Sequence, residues 1–204
     1  MAGNRELVTS ESIAKRALQW EGVFLTPLEE RDLDLIYSWQ NSPSLRDLTM
    51  GFRFPIQKDA VRDWLKNIKE QNARTRVVFA IRVWDVLVGT VSLHSIDQFQ
   101  RKALFGIYIG DSSERSKGIG YISTCLILDY SFNGLDFRKI SLEVVSTNSI
   151  AIALYDRIGF VKEGTRRKEY FVDGKCIDTH LYGILKEEFG EIIPKAANRL
   201  VHAC

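Results

Sequence analysis

The stretch Ile140-Ser141-Leu142-Glu143-Val144-Val145-Ser146-Thr147-Asn148-Ser149-Ile150-Ala151-Ile152-Ala153-Leu154-Tyr155-Asp156-Arg157-Ile158-Gly159-Phe160 reads as a strand, a polar turn and a helix in direct succession. Ile140, Leu142 and Val144 alternate with Ser141, Glu143 and Val145, so Glu143 lies on the face opposite the most apolar set. The period then changes. Asn148, Ala151, Ile152 and Tyr155 follow i, i+3, i+4, i+7 spacing and share one helix face, and Gly159 stops the helix. Asn148 is suited to cap that helix, and the same side chain can also meet a ligand. Tyr155 reads either as a core aromatic or as an acid, and Glu143 either as a paired surface carboxylate or as a functional one.

Upstream of this unit, Ala103 to Ile109 reads as a strand, followed by Arg115-Ser116-Lys117-Gly118-Ile119-Gly120 and an apolar, helix-like run from Ile119 to Phe132. Two glycines separated by one residue let the backbone approach a ligand closely, and Arg115 and Lys117 add positive charge. A following helix would aim its unpaired first N–H groups at the same place. The loop is therefore either a phosphate cradle or a plain βα turn.

The remaining elements complete an α/β (α+β) pattern. Val23 to Thr26 is a short strand ended by Pro27, Leu28 to Trp39 an amphipathic helix closed by Asn41-Ser42-Pro43, and Ala60 to Ile68 a second helix ending in a polar turn near Asn72. A linker rich in aromatic and basic residues (Arg46, Phe52, Arg53, Phe54) separates them. Val77 to Val83 and Val86 to Leu93 form a hairpin around Trp84-Asp85. Phe160-Val161, Glu169 to Val172 and Cys176 to Leu185 are the last strands, with Asp173-Gly174 as a hairpin turn. The first twenty residues, with Ile13, Ala14, Ala17 and Leu18, suit a small helix or an extension, and 189–204 is a tail of unassigned role.

A chain of 204 residues, 45% hydrophobic, suits one domain with a substantial core. A net charge of +2 demands neither a nucleic-acid nor a membrane partner. Cys125, Cys176 and Cys204 lack metal-site spacing, so we expect a reducing, cytoplasmic compartment and no metal. The first twenty residues lack an apolar core of signal-peptide length, and no run approaches membrane-spanning length.

The pattern L-E-V, then N-x-x-A-I-x-L-Y-x-x-x-G-F, following R-x-x-G-x-G at this distance, resembles the GNAT superfamily of acyl-coenzyme A N-acyltransferases. The resemblance spans roughly Val23 to Leu185 and is nearest the branch of ribosomal-protein, polyamine and amino-sugar acetyltransferases. It implies a mostly antiparallel sheet of about seven strands, flanked by helices and splayed where the pantetheine arm inserts, often with a β-bulge. The domain would occupy 21–188, between an extension (1–20) and a tail (189–204). Acetyl-CoA is the implied acyl donor, its diphosphate held by Arg115, Ser116, Lys117, Gly118, Ile119 and Gly120. Asn148 and backbone at Ile107, Tyr108 or Ile109 would complete the donor site. Tyr155 is the implied acid for the leaving thiolate and Glu143 the implied base.

Trp39-Gln40-Asn41-Ser42-Pro43 with Arg46 resembles the segment bordering the acceptor pocket of amino-sugar acetyltransferases, and Tyr170 would face it from the last hairpin. The expected acceptor is a small amine such as an amino sugar or polyamine. A protein N-terminus is the alternative, and a noncatalytic acyl-CoA-binding module is opposed by the presence of both Glu143 and Tyr155. A homodimer is compatible with the resemblance. Two departures stand out: Ser116 replaces a glycine common in relatives, tolerable where its φ is negative, and Gly110-Asp111-Ser112-Ser113 lacks a proline.

Overall fold

Period-2 alternation in the central segments builds one eight-stranded sheet with a helical layer on each face. The computed structural model describes residues 18–50, 54–70 and 75–190. In chain order the elements are β1 (Gln19–Trp20), β2 (Val23–Pro27), α1 (Leu33–Gln40), α2 (Pro43–Thr49), α3 (Lys58–Glu70), β3 (Arg76–Val83), β4 (Val86–Asp97) and β5 (Lys102–Ile109). They continue as α4 (Ile119–Asp129), β6 (Lys139–Val145), α5 (Ser149–Ile158), β7 (Val161–Val172), β8 (Lys175–Leu185) and α6 (Lys186–Gly190). The strand order is β1-β2-β3-β4-β5-β6-β8-β7. Neighbours are antiparallel except β5 and β6.

Alternate residues of β3 feed two cores. Phe79 and Ile81 join Val91, Leu93, Ile140, Leu142 and Val144 beneath α4, α5 and Phe189 of α6. Val78 and Ala80 join Leu28, Leu33, Ile36, Val61 and Leu65 beneath α1 and α3. The second core also carries a buried ion pair: Arg82 Nη2 lies 2.7 Å from Asp32, both residues being almost fully enclosed. Arg82 Nε donates to Thr26, so one guanidinium ties β2, β3 and the turn before α1 together. Removing either charge would leave the other buried and unpaired, which costs about 3–5 kcal/mol in such sites.

Several expectations change in detail. Gln19–Trp20 is an additional edge strand, the eighth. Pro43 ends one helix and opens the next at its first turn, so Arg46 is helical rather than part of a linker. The α4 ladder stops at Asp129 and a single π turn carries the chain to Gly134. β7 is continuous from Val161 to Val172, interrupted by two register shifts. The suggested helix around Ile13–Ala17, Phe52, Arg53, the turn at Asn72 and the tail beyond Gly190 lie outside the described residues.

Candidate active site

β5 and β6 pair only at Lys102↔Lys139, Ala103↔Ile140 and Leu104↔Ser141, although β5 runs on to Ile109 and β6 to Val145. Beyond Ser141 the two strands part. Gly110 N–H donates to Val88 C=O, which sets the alternation of the β4–β5 ladder and turns the polar groups of Tyr108 toward β4. Those of Ile107 and Ile109 therefore face the opening. By the same count Ser146 N–H on Asp178 C=O turns the backbone of Glu143 and Val145 toward it from the other side. The gap is lined by backbone donors and acceptors, and Tyr108 is not among them. The register shift in β4 between His94 and Asp97 lies at the closed end, so the parting of the strands is not made by that bulge.

The loop that leaves β5 folds over the mouth of this gap. Asp111 accepts from Ser113 N–H at 2.9 Å and from its hydroxyl, which holds that carboxyl below the usual range, and so fixes a one-turn 3-10 helix. Arg115 Nε donates to Ile109 C=O at 3.1 Å, which holds its charge at the end of β5 beside the loop. Lys117 is held by Glu114 at 2.9 Å. Ser116 has φ 61° and Gly118 φ 83°, so both are left-handed, and the condition of a negative φ at Ser116 is not met. The serine N–H survives this conformation, at a strain of about 1–2 kcal/mol that a glycine would escape. Gly118 has no side chain with which to cap α4, so the first N–H groups of the helix turn toward the loop without a side-chain partner. Gly120 lies in the first turn of α4, where an added Cβ would meet only Leu154, at an ordinary 3.5 Å. Neither its φ nor its packing requires glycine.

Helix α5 begins beside the same opening. Asn148 Oδ1 accepts from Ala151 N–H at 3.1 Å, as a capping residue should. Seven residues on, Tyr155 is 6% exposed, with the rings of Phe105, Phe160 and Tyr182 at 6.2, 5.7 and 6.2 Å. Burial pushes its phenol well above the ordinary tyrosine range, so it stays protonated at neutral pH. Gly159, at φ 100°, ends the helix and returns Phe160 onto Tyr155.

Glu143 lies across the sheet from Tyr155, because it alternates with Leu142 and Val144, which pack in the core that holds the tyrosine. Its Oε1 accepts from Thr179 Oγ1 at 2.5 Å and its Oε2 from Arg166 at 2.9 Å. Neither partner announces itself in the sequence: Arg166 lies in a run of basic residues that reads as a solvated surface, and only strand register brings it to Glu143.

Leu104, Gly106 and Tyr108 share the Glu143 face of the sheet, and Trp39 stands over it. The Trp39 indole meets Tyr108 edge to face at 6.1 Å and rests on Gly110, where any Cβ would come within 2.1 Å of it. Gly110 is thus obligatory for this wall, a signal that a lone glycine after a strand does not reveal. Asn41 is committed within the chain: its Nδ2 donates to Tyr37 and Ile56 carbonyls and its Oδ1 accepts from Ile56 N–H. Both of its amide N–H groups are thereby used within the chain. Arg46 belongs to α2, which lies against β6. Tyr170 pairs with Ile177, two residues from Thr179, and so joins Glu143 and Arg166 on the same face.

A parted pair of parallel strands can receive an extended arm as an added strand, and a side-chain-free helix start at its mouth suits an anionic group. The sequence matches the GNAT acetyltransferase domain over residues 23–161, and the chain belongs to that family. It is an acetyl-CoA-dependent N-acetyltransferase. A spermidine N(1)-acetyltransferase of Vibrio cholerae is 31% identical over 168 residues, 81% of this chain and 94% of the relative. The Escherichia coli spermidine N(1)-acetyltransferase is 30% identical over 169 residues, covering 78% and 88%. The crystal structure of a Vibrio cholerae spermidine N-acetyltransferase with CoA and spermine superimposes with a TM-score of 0.77 at 27% identity, covering 83% of this chain and 99% of the other. No helix among the described residues is long and apolar enough to cross a membrane.

Proposed function

We propose that this protein acetylates a primary amine of a small cationic acceptor of the polyamine type. The observation that carries the reading is the placement of Tyr155 and Glu143 on opposite sides of the β5–β6 gap. The similarity to spermidine acetyltransferases supports the acceptor class, and the Glu143 carboxylate supplies the charge that an ammonium requires.

Acetyl-CoA, bound along the gap, supplies the acetyl thioester. The backbone of Ile107, Ile109, Glu143 and Val145 would receive the pantetheine amides as an added strand. The N–H groups of Ser116 to Gly120 would take the diphosphate, with Arg115 and Lys117 lending charge nearby and Asn148 flanking the arm. An alkyl ammonium has a pKa of about 10.4 and must lose a proton before it can attack. Glu143 would take that proton on the acceptor side, directly or through water, while Ile107 or Ile109 N–H steadies the carbonyl oxygen. Tyr155, kept protonated by burial, would give its proton to the departing thiolate. Trp39, Arg46 and Tyr170 would form the acceptor wall. We place the protein in the cytoplasm as a homo-oligomer; one Vibrio cholerae relative is dodecameric.

Steady-state kinetics with spermidine, a nucleotide-linked amino sugar and N-terminal peptides tests the reading. Spermidine should be the preferred acceptor. Tyr155→Phe should lower kcat at least tenfold with little change in acetyl-CoA affinity. Preference for the amino sugar or a peptide would refute the acceptor class, and unchanged turnover would remove Tyr155 from its role.

A further inference from the structure

The carboxylate that is to receive the acceptor already holds a cation. Arg166 Nη1 is 2.9 Å from Glu143 Oε2, and the same nitrogen is 3.5 Å from Glu169 Oε1. The second contact needs explaining, because residues three apart in a regular strand point to opposite faces. Here the β7–β8 ladder passes from Arg166↔Thr179 to Tyr170↔Ile177, four steps on one strand against two on the other. Lys168 takes up the slack at φ 54°, and its N–H is anchored on Asp178 at 2.8 Å. This irregularity swings Glu169 to the side of Arg166. One guanidinium thus stands between two carboxylates, one at the gap and one toward solvent.

The surroundings permit movement between them. β7 is the last strand of the sheet, and the Arg166 side chain is 50% exposed, so it can leave Glu143 without opening a core. Thr179 holds the other Glu143 oxygen at 2.5 Å, which fixes the carboxylate while its cation is exchanged.

We propose that Arg166 is a displaceable counter-ion that selects cationic acceptors: the incoming ammonium takes its place on Glu143, and Arg166 passes to Glu169. The proposal rests on the reading that Glu143 receives the acceptor amine. The exchange is charge for charge, so Glu143 is never left without a partner beside the gap, and the Glu169 pair compensates Arg166 for what it gives up. An acceptor without a cation at this point cannot drive the exchange and leaves Glu143 engaged. Arg166 is a positioning and selectivity residue, and its effect falls on acceptor binding rather than on the chemical step.

The test compares the full-length protein with R166Q, R166K, E169Q and E143Q in steady-state kinetics at saturating acetyl-CoA. The acceptors are spermidine and a weakly basic aromatic amine that is uncharged at the assay pH. R166Q should lower the spermidine KM by roughly two- to fivefold, the scale of a half-exposed ion pair, and narrow the preference for spermidine over the uncharged aromatic amine. The change should fall on KM rather than kcat. R166K should restore the wild-type KM, and E169Q should raise it. A spermidine KM that rises or stays constant in R166Q, with its thermal melt intact, overturns the proposal; if R166Q does not fold, an R166K variant departing from the wild-type KM overturns it instead. Should E143Q leave both kcat and the acceptor KM unchanged, the underlying reading of Glu143 fails, whatever Arg166 does.

Discussion

Replacing Gly120 by alanine should make the protein more stable and a poorer binder of acetyl-CoA. The position is in the first turn of α4, its φ is not positive, and an added Cβ would touch only Leu154 Cδ2 at 3.5 Å. Glycine in a helix costs about 0.8–1 kcal/mol relative to alanine, and somewhat less near an end. The fold should therefore gain roughly 0.5–1 kcal/mol, equivalent to about 2–4 °C in Tm per kcal/mol for a chain of this size. The cofactor effect has the opposite sign. If a diphosphate lies against the N–H groups of this turn, a methyl group there displaces at least one charge-assisted hydrogen bond, worth about 1.5–3 kcal/mol. That corresponds to a loss of roughly ten- to hundredfold in affinity. Calorimetric titration with CoA, beside a denaturant melt of the free protein, measures both quantities. A more stable variant with unchanged CoA affinity would refute the placement of the diphosphate, and a destabilised one would refute the packing argument.

Two further predictions concern the loop and the buried titratable groups. Ser116→Gly relieves a left-handed serine at φ 61° and, after the added freedom of the unfolded chain, should stabilise the protein by roughly 0.5–1 kcal/mol in urea unfolding; a loss of stability would show that the serine side chain has a structural task. At alkaline pH, burial pushes the Cys125 thiol up from 9.0 to about 11 and raises the Tyr155 phenol above its ordinary 10. Both groups are protonated more readily in the folded state, so their contribution is complete below the unfolded values and falls as pH rises through the folded ones. Stability should decline from pH 9 toward 11, with a shallower slope in Cys125→Ala; an equal slope would show that the thiol is not the group titrating.

Much of the site could be read locally. The change of period between Val145 and Asn148 marks a strand and a helix, and the capping amide, the inward Tyr155 and the stop at Gly159 all follow from side-chain spacing within some twenty residues. Distant segments decide what local spacing does not. Arg115 reads as positive charge in the loop, and only the fold shows that its Nε is held by the Ile109 carbonyl at the end of β5. The Asn41 side chain reads as bordering the acceptor pocket, and its bonds to the Ile56 backbone come from a segment fifteen residues on. Gly110 carries no local signal, because the Trp39 ring that lies on it comes from a distant helix.

The chain's own periodicity and turn chemistry thus establish its elements, the glycine loop that precedes a helix and the face on which Glu143 stands. These are properties of residues a few positions apart, governed by dihedral preference and burial. The parting of β5 from β6 after Leu104↔Ser141, and the meeting of Glu143 with Thr179 and Arg166, depend on pairing across 23 to 37 residues of chain. Register of that kind is settled by how the two cores and the edge strand pack together, and no local pattern encodes it.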